Sequence, residues 1–417
     1  MKKTTEDLKE RIYIENIPTC VGVLFNNIPE GWCVKKIKDI VERVINPVEV
    51  KEEDHYQEIG IKSHGKGLFY KDKVIGRDLG NKSVFWIEPD CLIVNIVFAW
   101  EQAVTRTTHK EKGMIASHRF PMYKPKNDLV NLDYITYFFK TSYGKHLLNL
   151  ASPGGAGRNK TLGQKEFAEI EIPIPISVFE QEKIAKILLN VDDLILKKEQ
   201  YLKYKLQYKE VVLSNLMLEK VRLSGFGDKW EEVFIGDILT ENKEIELDPS
   251  LDKRITVRLN LKGVEKRNSK SIEKEGATVQ YRRKAGQFIY GKQNLHKGAF
   301  GIIPLEFDGY QSSGDLPCFD ISGIVNKYWF YYYMSRENYF KGLIKIATGT
   351  GSKRIQPNEF YKLKLRLPCL EEQEKIAEIL KTMDKEIELL EQDLNCQREL
   401  KKVLMQNLLA GKTRVKY

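Results

Sequence analysis

Apolar residues recur every seven positions in two otherwise charged segments of the chain, residues 176–222 and 369–417. In the first segment they occupy two alternating seam positions: Ile184, Val191 and Val212 at one, and Leu188, Ile195, Leu202 and Leu216 at the other. The second segment repeats this arrangement with Ile376, Met383, Leu390 and Leu404, and with Leu380, Ile387, Leu394 and Leu408. The spacing is typical of a coiled coil, so it predicts two long helices that pair through these residues.

Polar residues interrupt both seams near the middle. They are Lys198, Lys205 and Lys209 in the first segment, and Gln397 and Lys401 in the second. Roughly forty residues at about 1.5 Å each make rods on the order of 60 Å long. Because a globular segment separates the helices along the chain, we expect antiparallel pairing, with the globular segments at opposite ends.

The two helical segments belong to a duplication that covers most of the chain. Residues 180–188 (EQEKIAKIL) and 372–380 (EQEKIAEIL) are identical at eight of nine positions, 192 residues apart in a chain of 417. Upstream, Trp32-x4-Ile-x-Asp-Ile matches Trp230-x4-Ile-x-Asp-Ile. The chain is therefore expected to contain two similar modules, and its function should use two of something.

A mixed segment precedes each helical one. Short runs bounded by Gly, Asn, Asp and Pro, such as 68–70, 84–87 and 288–290, predict strands of an irregular α+β domain. The Tyr- and Phe-rich runs 134–139 and 328–333 predict one helix each, packed on the sheet. A platform on which bases stack is the alternative.

These patterns divide the chain into five parts and set its fold class. The parts are 1–28 (N-terminal extension), 29–175 and 223–368 (globular), and 176–222 and 369–417 (helical). The predicted fold is α+β, with two tandem, pseudo-repeated α/β domains and two long antiparallel coiled-coil helices.

Charge and composition narrow the classes of partner. The chain has 68 Lys and Arg against 58 Asp and Glu, a net charge of +10, which is a mild excess that favours an anionic partner. The N-terminal residues lack the apolar core of a signal peptide, and the longest apolar run, 91–100, predicts a buried strand and is too short to span a membrane. Six scattered cysteines without a CxxC pair argue against disulfides or zinc, and for a reduced, cytoplasmic protein without a membrane partner.

No residues form a catalytic pattern. Gly411, Lys412 and Thr413 resemble the end of a P-loop, but Gln406 stands where the first glycine belongs, so a helix C-cap is the better interpretation. The tetrapeptide of DNA amino-methyltransferases is absent, and so is a clear nuclease site. The sequence therefore predicts a recognition protein without catalytic, cofactor-binding or metal-binding residues.

Features found twice, in the same order, carry a family resemblance. They are the Trp-x4-Ile-x-Asp-Ile opening, a variable segment, the loops 157–160 (GRNK) and 351–354 (GSKR) followed by Glu-Phe, the nine-residue block, and a long helix. The second helix ends near 409–414 (LAGKTR), whereas the first ends with 218–222 (LEKVR). Over residues 29–417 the chain resembles the specificity subunit of a Type I restriction-modification enzyme.

The resemblance implies a non-catalytic subunit with two target-recognition domains, each reading half of a bipartite site in double-stranded DNA. The helices would set the gap and dock two adenine-methyltransferase subunits, which carry S-adenosylmethionine. Motor and nuclease subunits, with ATP and Mg²⁺, would join them, and this chain would bind no cofactor. Two alternatives stay open: the specificity subunit of another restriction architecture, and a coiled-coil scaffold that binds proteins.

Basic and polar residues are the candidates for DNA contact. The loop residues come first, because neighbouring glycines allow close approach to phosphate: Arg158, Asn159, Lys160, Ser352, Lys353 and Arg354. The basic run with Tyr281, Arg282 and Arg283 comes second, and Lys292 comes third. For each group, an ordinary solvated surface is the alternative.

One aligned pair predicts a difference between the half-sites. The segments 117–123 (SHRFPMY) and 313–319 (SGDLPCF) place Arg119 opposite Asp315. Arginine suits the acceptors of guanine and aspartate suits the amino group of cytosine, so we expect these residues to read bases. The alternative is that both form intramolecular salt bridges.

Overall fold

The computed structural model describes residues 28–154, 160–267, 278–349 and 353–415. The chain forms two compact units: unit 1 comprises residues 1–197 and 394–417, and unit 2 comprises residues 198–393. Each unit therefore contains one globular segment together with parts of both helical segments.

Unit 1 is built on two four-stranded sheets and a two-stranded ribbon. Its elements in chain order are β1 (Trp32–Lys36), α1 (Ile37–Ile40), β2 (Val41–Val44), β3 (His55–Ile61), β4 (Leu68–Ile75), β5 (Val84–Trp86), β6 (Leu92–Val94), β7 (Val104–Arg106), β8 (Ile115–Ser117), β9 (Met122–Pro125), α2 (Leu132–Lys140), α3 (Ser142–Leu150), α4 (Gln164–Ala168), β10 (Glu171–Pro175) and the first half of the long helix α5 (Val178–Met217), whose second half belongs to unit 2. The sheets have the strand orders β2-β9-β6-β7 and β4-β3-β8-β5, and β1 pairs with β10.

Unit 2 repeats the ribbon and the first sheet. Its elements are β11 (Glu231–Phe234), α6 (Ile235–Ile238), β12 (Leu239–Asn242), β13 (Ile255–Val257), β14 (Val264–Lys266), β15 (Gln280–Arg282), β16 (Phe288–Tyr290), β17 (Phe300–Ile302), β18 (Gln311–Ser313), β19 (Cys318–Ile321), α7 (Lys327–Ser335), α8 (Glu337–Gly342), α9 (Pro357–Tyr361), β20 (Lys364–Leu367) and the first part of the long helix α10 (Leu370–Leu408), whose residues from 394 onwards belong to unit 1. The four-stranded sheet has the order β12-β19-β16-β17, and β11 pairs with β20. Where unit 1 has its second sheet, unit 2 has the separate pairs β13-β14 and β15-β18.

The two long helices pair as predicted. Every predicted seam residue is buried or half-buried. The four lysines that interrupt the seam form ion pairs between the helices: Lys198 with Asp393, Lys205 with Glu386 and Lys209 with Asp384 in unit 2, and Lys401 with Asp192 in unit 1. Within unit 2, lysines further along the first helix pair with acidic residues that come earlier in the second helix. The two helices therefore run antiparallel there.

The aromatic runs form cores and not platforms. On α2, Tyr134, Phe138 and Phe139 are almost fully buried, and so are Trp329 and Phe330 on α7. The predicted helices packed on sheets are confirmed, and the alternative of a base-stacking surface is wrong. Burial of large aromatic rings accounts for much of the stability of each unit.

The buried strand expected over residues 91–100 is shorter than predicted. Strand β6 ends at Val94, and the side-chain oxygen of Asn95 then accepts a hydrogen bond from the N–H of Val97 at 3.1 Å. Such a turn, made by an asparagine side chain, competes with strand pairing and redirects the chain. In the described part of the chain, no helix combines the length and apolar character needed to cross a bilayer.

Candidate nucleic-acid interface

A buried glutamine of the nine-residue block joins each long helix to its globular segment. The side-chain oxygen of Gln181 accepts a hydrogen bond from the N–H of Asn131 at 2.9 Å, and Gln373 accepts one from Asn326 at 2.8 Å. Each glutamine also donates to the carbonyl of the last proline before its helix, at 2.8 Å in both units. Asn131 and Asn326 are the N-caps of α2 and α7, so the block fixes the start of the long helix against the aromatic helix.

The neighbouring glutamate is paired with an arginine that follows the other long helix. In unit 1, Arg414 donates to both carboxylate oxygens of Glu180, at 2.7 and 2.8 Å. In unit 2, Arg222 donates to both oxygens of Glu372, at 2.9 Å. The glutamate side chains are only 1% and 2% exposed. A buried carboxylate without a partner is strongly destabilising, so each unit depends on its arginine.

Backbone hydrogen bonds confirm that the two Ser-x-x-x-Pro segments are equivalent. The N–H of Ile96 donates to the carbonyl of Arg119 at 3.0 Å, and the N–H of Lys292 donates to the carbonyl of Asp315 at 3.0 Å. Arg119 and Asp315 therefore occupy the same place in the two units, as the alignment predicts.

The same network corrects the predicted alignment of the two loops. The N–H of Leu162 donates to the carbonyl of Ile96, and the N–H of Ile355 donates to the carbonyl of Lys292, each at 2.8 Å. Counting back two residues sets Lys160 opposite Lys353, whereas the sequence alignment sets it opposite Arg354. Arg354 thus corresponds to position 161 of unit 1.

In unit 1 a cavity of about 800 Å³ lies beside the Ser-x-x-x-Pro segment. Its lining includes Gly60, Phe69, Asn95, Phe98, Ser117 and Arg119. Arg119 is exposed, and its guanidinium has no ion-pair partner among the residues that the structure describes. The cavity therefore combines aromatic rings with an exposed cationic group.

In unit 2 a smaller cavity, about 470 Å³, lies at the equivalent segment and is more polar. Its lining includes Lys243, Tyr281, Lys292, Pro317, Gln356 and Asn358. Concave sites with a few convergent polar groups are the usual form of a binding site. Each unit thus presents a cavity that borders its Ser-x-x-x-Pro segment, although the remaining lining residues come from different positions of the two units.

The comparison with protein families is decisive on these two units. The model of the Type I restriction modification DNA specificity domain matches residues 29–205 and, a second time, residues 227–396. The chain belongs to this family. It contains two tandem specificity domains, and the predicted fold class is confirmed.

Similar proteins agree with the family match. The Type I restriction enzyme MjaVIII specificity subunit of Methanocaldococcus jannaschii is 25% identical over 418 residues, covering 93% of this chain and 94% of that protein. The S subunit of a Type I restriction-modification system from M. genitalium has a TM-score of 0.56 at 13% identity, over 92% of this chain and 96% of that one. The HsdS subunit from Thermoanaerobacter tengcongensis has a TM-score of 0.51 at 12% identity, over 93% and 98%. The two structural likenesses concern the fold alone.

Arg283 is not a surface residue of this specificity subunit. Its side chain is 1% exposed and donates to the hydroxyl of Ser312 at 2.8 Å and to the carbonyls of Asn242 and Leu316 at 3.0 and 3.1 Å. Burial lowers the pKa of the Arg283 guanidinium below its usual value. The side chain holds three loops of unit 2 together and also borders the cavity of unit 2. Contact of Arg283 with DNA stays a prediction, although the surface position expected for it is not observed.

The neighbours of Arg283 point to solvent. Arg282 is exposed and lies 3.7 Å from Glu246, and Tyr281 lines the cavity of unit 2. Because side chains alternate along a strand, Arg282 lies on the face opposite Tyr281, whereas the guanidinium of Arg283 lies 5.3 Å from the centre of the Tyr281 ring. Both residues keep their place as candidates.

Asp315 and Arg354, predicted separately, contact each other. An oxygen of Asp315 lies 2.9 Å from Nη1 of Arg354, and both side chains are partly exposed. The expected alternative of a salt bridge thus holds for Asp315. Arg354 is fixed further by backbone hydrogen bonds with Thr348 in both directions, at 2.8 and 2.9 Å.

The remaining lysines differ in exposure. Lys353 is exposed, and Lys292 is half-buried and lines the cavity of unit 2. Lys160 is half-buried, and its Nζ donates to the side-chain oxygen of Asn149 at 2.8 Å. Three further candidates lie outside the described residues: Arg158, Asn159 and Ser352.

The sequence alone did not single out the two exposed rings of unit 1, Phe69 and Phe98. A signal for both exists in the duplication. Aligning the units at the correct local offset places Glu265 opposite Phe69 and Asn294 opposite Phe98. Where equivalent positions of the two units hold an aromatic and a polar residue, we expect the two units to bind different chemical groups.

Proposed function

We propose that this chain is the DNA-recognition subunit of a Type I restriction-modification complex, in which each unit reads one half of a bipartite, asymmetric site. The observation that carries the proposal is the double match to a DNA specificity domain, one match for each unit. The further statement that the two half-sites differ is supported by Glu265 and Asn294, which stand in unit 2 where unit 1 has Phe69 and Phe98 at its cavity.

Phosphate contacts position such a protein, and contacts with base edges give it specificity. In unit 1 the guanidinium of Arg119, which has no ion-pair partner within residues 28–154, 160–267, 278–349 and 353–415, suits the O6 and N7 acceptors of guanine. In unit 2, Asp315 orients Arg354, and Lys292 lies at the cavity nearby. We assign direct readout to Arg119 and Arg354, and orientation of Arg354 to Asp315.

In this proposal the long helices set the distance between the half-sites and dock two methyltransferase subunits. Those partners supply S-adenosylmethionine and the methyl-transfer site, and the motor and nuclease subunits supply ATP and Mg²⁺ chemistry. The chain itself is non-catalytic. We expect it to act in the cytoplasm, since every cysteine in the described ranges is a free thiol.

The decisive experiment is methylation-aware sequencing of DNA modified by the chain assembled with its methyltransferase. The wild type should methylate a two-part sequence with a fixed gap. Arg119→Ala should relax one half-site, and Arg354→Ala the other, each by about 1–3 kcal/mol of discrimination at one base pair. Asp315→Ala should relax the same position as Arg354→Ala, to a smaller extent.

The competing functions give other results. A protein-binding scaffold would confer no sequence preference on the methyltransferase and no salt-sensitive DNA binding. Arg119→Ala and Arg354→Ala variants that leave both half-sites unchanged would show that the base-reading residues lie elsewhere.

A further inference from the structure

Two aromatic rings stand exposed at the cavity of unit 1. Phe69 is 39% exposed and Phe98 is 40% exposed, and both line the same cavity of about 800 Å³. This volume is in the range of pockets that bind small molecules or bases, about 300–1,000 Å³. Exposed apolar rings that converge on a cavity usually mark a contact surface.

Phe69 is held in place by a glycine on the neighbouring strand. Gly60 of β3 pairs with Phe69 of β4, and a Cβ atom at Gly60 would lie 2.3 Å from Cζ of Phe69. The ring therefore lies flat against the backbone of Gly60, in space that any other residue would fill. This contact keeps the ring at the cavity despite its exposure.

Unit 2 has a polar residue where unit 1 has Phe98. The N–H groups of Phe98 and Asn294 donate to equivalent carbonyls at 3.1 and 3.0 Å, and their own carbonyls accept bonds from equivalent alanines at 3.1 Å in both units. The backbone is thus the same, and only the side chain differs.

The strand pair shows the same replacement. Gly60 and Phe69 pair across β3 and β4, as Thr256 and Glu265 pair across β13 and β14. The hairpin turn that follows is closed in both units by a backbone hydrogen bond of 2.9 Å. Unit 2 therefore presents a carboxylate and an amide where unit 1 presents two rings.

The charge around the rings selects the occupant. Arg119 lines the cavity without an ion-pair partner in the described ranges, whereas Glu58 at the same cavity is paired with Lys71 at 3.0 Å. The occupant should therefore offer hydrogen-bond acceptors to Arg119 and an apolar group to the rings. The major-groove edge of DNA offers both, because thymine carries a C5-methyl group beside acceptors of neighbouring bases.

We propose that Phe69 and Phe98 contact the C5-methyl group of a thymine in the half-site read by unit 1, and that unit 2 reads its half-site without such a contact. This inference rests on the proposed DNA-recognition function. It adds a chemical class, a methylated pyrimidine edge, to the recognition by unit 1 and makes the two rings specificity-determining residues.

The test pairs a change in the protein with the removal of one methyl group from the DNA. After sequencing has defined the site, each thymine in both half-sites is replaced in turn by 2′-deoxyuridine. Binding of the chain–methyltransferase complex is then measured for the wild type, Phe98→Ala and Phe69→Ala. At one position the wild type should bind about fourfold more weakly without the methyl group. The two variants should show no such loss at that position.

Matched controls separate the contact from a general disturbance. Phe98→Leu keeps an apolar group and should retain part of the response to the methyl group. Asn294→Ala, at the equivalent position of unit 2, should leave every methyl response unchanged.

Other outcomes overturn the inference in distinguishable ways. A recognised site without thymine in either half, or methyl responses that are equal in the wild type and both variants, would overturn it while the recognition function stands. Weaker methyltransferase binding by Phe98→Ala with unchanged DNA affinity would show that a protein covers the rings, and would also overturn it. A wild-type complex that methylates no two-part sequence would remove the proposed function, and this inference with it.

Discussion

The two units agree closely where the long helices are fastened and differ where the cavities lie. In unit 1 the hydroxyl of Tyr137 donates to Asp192, and in unit 2 that of Tyr332 donates to Asp384, at 2.6 Å in both. The buried Gln and Glu–Arg contacts are duplicated with similar distances. At the cavity of unit 1, by contrast, lie the rings of Phe69 and Phe98, and the equivalent residues of unit 2 are Glu265 and Asn294.

This contrast separates two demands on the same fold. The fastening contacts keep a long helix in one orientation on its globular segment, which both units need equally. The cavity side chains decide which chemical groups are bound, and the units have diverged there without altering the backbone hydrogen bonds beneath. The contacts that orient the long helices are the same in both units, whereas the side chains at the binding surface differ.

The strongest test of the common frame removes each arginine in turn. Arg414→Ala should destabilise unit 1 by about 3 kcal/mol, since it leaves a buried carboxylate unpaired. Arg222→Ala should cost less in unit 2, because Nε1 of Trp230 still donates to Glu372 at 3.0 Å. Urea unfolding of the full chain measures both changes.

The reactivity of two buried thiols can report which unit each arginine substitution destabilises. Burial raises the pKa of Cys91 in unit 1 to about 11 and that of Cys318 in unit 2 to about 12, so both should resist alkylation at neutral pH. Arg414→Ala should speed alkylation of Cys91, and Arg222→Ala that of Cys318, as followed by peptide mass spectrometry. Lys402→Ala, on an exposed helical face, should change neither. Equal responses of both thiols to either variant would mean that the units do not open separately.

The periodic part of the fold was predictable because it is local. The heptad pattern identified both long helices and their pairing residues, and the duplication identified two modules. The partners of Glu180 and Gln181 were not predictable, although the block was the clearest repeat. Arg414 lies 234 residues from Glu180, and no periodicity signals a contact over that separation.

The candidate site was predictable only in part. The equivalence of Arg119 and Asp315 follows from the sequence, but a run of charges does not show which side chain is buried, as with Arg283. The offset between the units is 192 residues in the nine-residue block and 196 between Phe98 and Asn294. Small insertions of this kind hide equivalent positions until backbone hydrogen bonds define them.

The ends of the long helices offer a second, smaller test of equivalence. Gly411 and Glu219 both adopt the left-handed conformation, with φ of 66° and 57°. This confirms the predicted helix C-cap at Gly411. A Cβ atom at Gly411 would lie 2.5 Å from Cγ of Pro29, whereas Glu219 pairs at the surface with Arg366 at 3.0 Å.

Exchanging these two residues should therefore have unequal effects. Gly411→Glu should destabilise unit 1 by about 2 kcal/mol, from backbone strain and the close contact with Pro29. Glu219→Gly should change the stability of unit 2 by less than about 1 kcal/mol, because relief of strain offsets the lost surface ion pair. Gly411→Asn separates the causes, since asparagine tolerates this backbone conformation but still carries a Cβ atom. Similar losses of stability from Gly411→Glu and Glu219→Gly would show that the close contact between residue 411 and Pro29 does not affect stability.

The smallest expected difference lies in the ion pairs between the helices. Lys209 pairs with Asp384 in unit 2, and Lys401 pairs with Asp192 in unit 1. In unit 1 a further, buried lysine, Lys140, interacts with Asp192: burial lowers the pKa of Lys140, the charge of Asp192 raises it and the charge of Lys401 lowers it.

Replacement of the two lysines by glutamine should expose this difference. Lys209→Gln should cost about 1 kcal/mol, in the upper range for such pairs, because Asp384 loses a partly buried partner. Lys401→Gln should cost about half as much, since Lys140 still compensates Asp192 and is relieved of a repulsive neighbour. Urea unfolding at low salt measures both losses, and about 1 M salt should shrink them through screening. A larger loss for Lys401→Gln than for Lys209→Gln would contradict this account, because it would mean that Lys140 does not share the charge of Asp192.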